Sequence, residues 1–157
     1  MSELLCRGMR AEGAVTDLCV KAADIQLPEI HEDDLVVIAL PVLAGRVPAL
    51  AVERLRMVNP HGAKCVVVAV FGNRAYDDAL LEMQDVASET GFRVIAAVAA
   101  VAEHSIIRKY GKGRPDASDE QTLLQFSADI MHKAESDDCT MPQVPGNRPY
   151  KQGGKVP

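Results

Sequence analysis

The sequence predicts an α/β domain built on a doubly wound parallel sheet in three layers. Its apolar runs are too continuous for a sheet with one wet face, and amphipathic helical stripes alternate with them along the chain. Length agrees, because 157 residues that are 48% hydrophobic and 25% charged suffice for one domain with a real core.

The first dozen residues put Leu4, Leu5, Gly8 and Met9 on one side of a short helix, with Ser2 placed to cap it and Gly13 to stop it. Residues 14–20 are rich in β-branched and apolar side chains and predict a strand. Residues 23–34 pass through Pro28 and a cluster of acids and predict a loop. The run Leu-Val-Val-Ile-Ala-Leu over 35–40 has no alternation, so a strand deep in the sheet is expected there. After a loop over 41–48, Ala51, Val52, Leu55 and Val58 form a helical stripe from which Glu53, Arg54 and Arg56 point away.

The pairing repeats. Residues 65–71 predict a second buried strand, and Ala79, Leu80, Met83, Val86, Ala87 and Thr90 a second stripe that Gly91 can end. Residues 92–101 predict a third strand. A last helix follows from about Ser118, where Ser118 and Gln121 have capping-box spacing and Leu123, Leu124, Ser127, Ile130, Met131 and Ala134 form the stripe. Residues 1–137 thus make one domain, and 138–157 a tail rich in proline and glycine that reads as a linker or docking strap without a core of its own.

A net charge of -5 and a pI near 5.3 argue against nucleic acid or anionic membrane as partner, since both need a basic face. No apolar run approaches the roughly 20 residues of a membrane span, so a cytoplasmic protein is expected. Cys6, Cys19, Cys65 and Cys139 lie far apart without a Cys-x-x-Cys pair, which favours reduced structural thiols over a zinc or iron–sulfur site.

Parallel sheets bind ligands at the carboxyl ends of their strands, so the loops after residues 40 and 71 are the candidate site. The first, Pro41, Val42, Leu43, Ala44, Gly45 and Arg46, has an Ala-Gly step that lets backbone approach a flat ligand. The second, Phe71, Gly72, Asn73, Arg74 and Tyr76, supplies backbone N–H groups, polar side chains and an aromatic ring. A Gly-Asn turn after a strand is more often only a turn, and Arg46 and Arg74 read first as solvated surface charges.

The runs 34–48 (DLVVIALPVLAGRVP) and 71–83 (FGNRAYDDALLEM) resemble the flavodoxin-like domain of bacterial flavodoxin–ferredoxin fusion proteins, the iron–sulfur flavoproteins. The stretches 102–110 and 113–116 look like the same group, and the resemblance spans about residues 2–150. It implies a flavodoxin-like fold, FMN as cofactor, electron transfer with a ferredoxin-type iron–sulfur partner, and contact of Val42 to Arg46 with one flavin face and of Phe71 to Tyr76 with its polar edge. Leu43 departs from the aromatic residue usual there, which removes stacking worth about 0.5–1.5 kcal/mol. The relatives also begin with a central strand and a phosphate-cradling loop. Met1 falls where the helix after that loop starts, so the first, central strand is expected to be missing and the chain to be the middle of a longer protein, with the ferredoxin part beyond its tail.

Two functions compete on these residues: an FMN-binding electron carrier or flavin-dependent reductase, and a cofactor-free interaction module. A phosphorylation receiver ranks below both because Glu32, Asp33 and Asp34 precede a strand rather than follow one. His104 offers a proton donor or a structural histidine, and Arg108, Lys109, Lys112 and Arg114 a basic patch or a solvated loop.

Overall fold

The computed structural model describes residues 1–10, 13–19 and 25–152. Its elements are α1 (Ser2–Gly8), β1 (Leu35–Pro41), α2 (Ala49–Leu55), β2 (Lys64–Phe71), α3 (Ala79–Thr90), β3 (Arg93–Val101) and α4 (Ala117–Glu135). The strands form one open, all-parallel sheet in the order β1-β2-β3.

Strand β2 is the centre of the molecule, and residues 65–69 are wholly buried. Alternate side chains of a strand point to opposite faces, and here they feed two separate cores. Cys65, Val67 and Ala69 join Leu55 of α2 and Met83 of α3, whereas Val66 and Val68 join Leu5 of α1 with Leu123 and Ile130 of α4. Full burial of each such valine stabilises the fold by about 1.5–3 kcal/mol. Helices α1 and α4 pack closely because Gly8 has no side chain: an added Cβ would lie 2.5 Å from Ser127 Oγ. The buried Ser127 hydroxyl is in turn within hydrogen-bond distance of the Leu5 and Leu123 carbonyls, at 3.0 and 2.8 Å.

The structure corrects several expectations. Strand β1 is an outer strand rather than a deep one, with only Ile38 and Leu40 buried. An unbroken apolar run reports that both faces are covered, and it carries no information about edges. Residues 14–19 form no strand, and Val20 lies outside the described residues. Val15 is 76% exposed, and the Asp17 carboxylate accepts the Cys19 N–H at 2.8 Å, a local turn bond that competes with strand pairing. Residues 25–34 are loop, as read; 23 and 24 lie outside the described residues.

Helix ends also differ from their sequence signals. Met1, not Ser2, precedes α1, and the helix closes at Met9 before Gly13. The capping box of α4 is Asp116 with Asp119 rather than Ser118 with Gln121, two residues earlier in the chain. Gly91 ends α3 at φ 110°, as expected. Arg54 is buried, not turned outward, and donates to the Leu18 carbonyl at 2.9 Å. Among the described residues no helix is long and apolar enough to cross a membrane.

Candidate functional site

Loops over 42–48, 72–78 and 102–116 leave the carboxyl ends of β1, β2 and β3, and the structure brings them into direct contact. Gly45, buried at φ 81°, lies so tightly on Asp77 that any side chain would collide with the carboxylate. A Cβ on Gly72 would stand 2.8 Å from His104 Cα, and one on Gly111 2.6 Å from the Ala102 carbonyl and 3.2 Å from Asn73 Cβ. The glycines therefore serve loop-to-loop packing.

The first two loops also hold unusual backbone. Ala44, Asn73 and Asp77 have φ of 51°, 57° and 43°, a left-handed region that costs a residue with a side chain roughly 1–2 kcal/mol. Such conformations persist only where surroundings enforce them, and they cluster at functional sites.

Individual side chains divide into seated and exposed ones. Pro41 is exposed at the end of β1, and Val42 continues the ladder through its N–H to the Val70 carbonyl at 2.8 Å. Leu43 is 41% exposed while its backbone exchanges hydrogen bonds with Arg46 at 2.8 and 3.1 Å, which fixes the turn. Tyr76 meets Phe71 edge to face, centroids 5.1 Å apart, and packs on the core beneath. Asn73 and Arg74 are exposed, and the Arg74 guanidinium stands 5.9 Å from the Tyr110 ring. His104 Nδ1 accepts the Ile106 and Ile107 N–H groups, both at 3.2 Å, so it holds the third loop's turn.

Arg46 is no solvated charge. It forks onto Glu82 of α3 with two bonds of 2.7 Å, donates to the Lys151 carbonyl at 3.1 Å and lies 4.9 Å from the Tyr150 ring centroid. This pairing raises its pKa further, and it satisfies a carboxylate whose side chain is only 8% exposed.

The partners from residues 147–151 belong to the tail, which turns back along α3. Gly146 sits against Leu81, and the Gln84 amide donates to the Pro142 carbonyl at 2.7 Å. Buried Asp78 accepts the backbone N–H of Lys151 at 2.6 Å and of Asn147 at 2.8 Å, and these bonds hold its carboxyl below the usual range. Asp85 binds Arg148, which depresses its pKa, and accepts the Tyr150 hydroxyl at 2.5 Å. Burial, then that carboxylate, pushes the Tyr150 pKa up to about 12. Val144 adds a partly buried side chain to the core, so the tail contributes to packing that its composition does not suggest.

Asp78, Glu82, Asp85 and Tyr150 thus organise the rim, and the candidate set from sequence omits them. The available signal is acids recurring at helical spacing on an otherwise apolar helix, which marks a face needing partners. A cavity of about 210 Å³ lies between β3 and α4, and one of about 70 Å³ beside Met1, the end of β3 and the start of α4; neither is lined by the first two loops. No family model matches the chain, and no curated protein matches it.

Proposed function

We propose that the chain is a flavodoxin-like, three-layered domain that takes the FMN ring at the rim formed by residues 41–46 and 71–76 and exchanges electrons with a ferredoxin-type iron–sulfur partner. The observation that carries this reading is the meeting of two backbone-strained loops at the carboxyl ends of adjacent parallel strands, where such sheets bind ligands. The order β1-β2-β3 agrees with the last three strands of the flavodoxin-like order 2-1-3-4-5. In that order a first strand would lie beside β1, where the described residues have none. A cytoplasmic setting accords with four free cysteines.

The ring and the phosphate of FMN fare differently here. Exposed Leu43 and the backbone around Asn73 offer an apolar surface and polar groups for a ring. The phosphate finds no comparable cradle among the described residues: the start of α1 faces a cavity lined by Asp119, and Arg114 is paired with that carboxylate. The flavin supplies all redox chemistry when bound, and the chain's residues bind and orient it.

A cofactor-free interaction module is the second reading, favoured by a rim already filled with its own contacts: Gly45 on Asp77, Gly72 on His104, Arg46 under Tyr150. Titrating the full chain into FMN separates the two. Saturable quenching of flavin fluorescence is the result expected of the carrier, and unchanged fluorescence at high chain concentration selects the module.

A further inference from the structure

The edge of β3 stands apart from the rim. Among the described residues β3 pairs only with β2, so its outer backbone groups have no strand beside them. After Arg93 the strand reads Val-Ile-Ala-Ala-Val-Ala-Ala-Val, with neither charge nor proline, the features that usually keep an edge from pairing. One irregularity, between the Cys65 and Val66 pairs, lies near its start, and pairing is regular from Ala96 to Val101.

Along this edge runs the cavity of about 210 Å³, walled by Ala96, Ala97 and Val98 on the strand and by Phe126, Asp129 and Ile130 on α4. Phe126 is 39% exposed. Lys133 closes the same wall one helical turn beyond Asp129, so the face carries an acid and a base at i and i+4. Asp129 accepts from Gln125 at 3.2 Å and Lys133 donates to the Thr140 carbonyl at 2.6 Å, which leaves each with further hydrogen-bonding capacity.

We propose that this edge is a dimer interface, in which a second copy of the chain pairs its β3 antiparallel to the first across a two-fold axis. A two-fold perpendicular to the sheet makes edge strands antiparallel and lays the two α4 helices antiparallel on one face. The arrangement is self-complementary. Each Phe126 meets the other copy's cavity, and Asp129 of each copy faces Lys133 of the other, so one patch provides both signs of charge. An unrelated acidic or basic partner would match only half of it.

Sedimentation of the wild-type chain at tens of micromolar tests the idea, with the mass of two chains expected and that of one chain overturning it. Asp129→Lys and Lys133→Asp each place like charges across the axis, so each variant should sediment as one chain. Mixing them pairs opposite charges again and should restore the mass of two. Variants that stay dimeric, or a mixture that stays monomeric while both circular dichroism spectra are native, exclude this interface. Amide exchange on the wild type gives an independent reading: protection at 96–101 should rise with chain concentration while that of β1 stays constant, and equal behaviour of the two strands counts against the proposal.

Discussion

The carboxyl rim and the β3 edge are built on opposite principles. At the rim the buried carboxylates are matched, Glu82 with Arg46 and Asp78 with two backbone N–H groups of the tail, and half-buried Asp85 pairs with Arg148 and Tyr150. At the edge the surface is alanine, valine and an exposed phenylalanine, with Asp129 and Lys133 alongside, beside backbone that pairs with no further strand among the described residues. Arg46, Asp78, Glu82 and Asp85 at the rim are thus held by partners inside the chain. At the β3 edge, among the described residues, no second strand takes up the outer backbone groups.

The contrast breaks most sharply at Arg46. Arg46→Ala leaves Glu82 buried with only the Val47 N–H at 3.3 Å, so urea denaturation should show a loss of roughly 2–3 kcal/mol. Arg46→Lys should recover only part of it, because an ammonium cannot make the paired fork. Next in size is Gly45→Ala, expected to cost about 2 kcal/mol from left-handed backbone and collision with Asp77 together. Gly62→Ala separates the two causes: its φ is 78° but the space around it is open, so about 1 kcal/mol should be lost. Equal losses at the two glycines would remove the argument that the loops press on each other.

Acid sharpens the comparison with a smaller effect. Asp78 and Asp85 have folded pKa values below the ordinary 3.8, so their contribution is complete above that value and disappears as pH falls through the depressed ones. Protection from amide exchange, measured against the intrinsic rate at each pH, should therefore fall at residues 147–151 as pH drops below about 4, while β2 stays protected. In base the sign reverses for Tyr150: its contribution is complete below pH 10 and disappears as pH rises toward about 12. A tail that loosens at neither extreme would mean that packing of Val144 and Gly146, not the acids, holds it.

Periodicity made the three paired strands, the four helices and the turn at Gly91 legible in the sequence. It misplaced β1, since edge and centre strands share one apolar pattern when their faces are covered, and it proposed a strand at 14–20 where Asp17 closes a turn instead. The two candidate loops were legible as the exits of apolar strands. Their contacts were not, because Arg46 and Glu82 lie 36 residues apart and the tail residues that meet them lie further still. Arg54 shows the same limit, as a charge beside an apolar helical stripe gives no sign of the carbonyl across the fold that it reaches.

Backbone amide spectra of the labelled chain, recorded with and without FMN, test the central claim most directly. Flavin binding at the rim predicts shifts confined to residues 42–46 and 72–76 and their contacts, with β3 unmoved. Spectra that stay unchanged at saturating FMN, or that shift only away from those two loops, would contradict it.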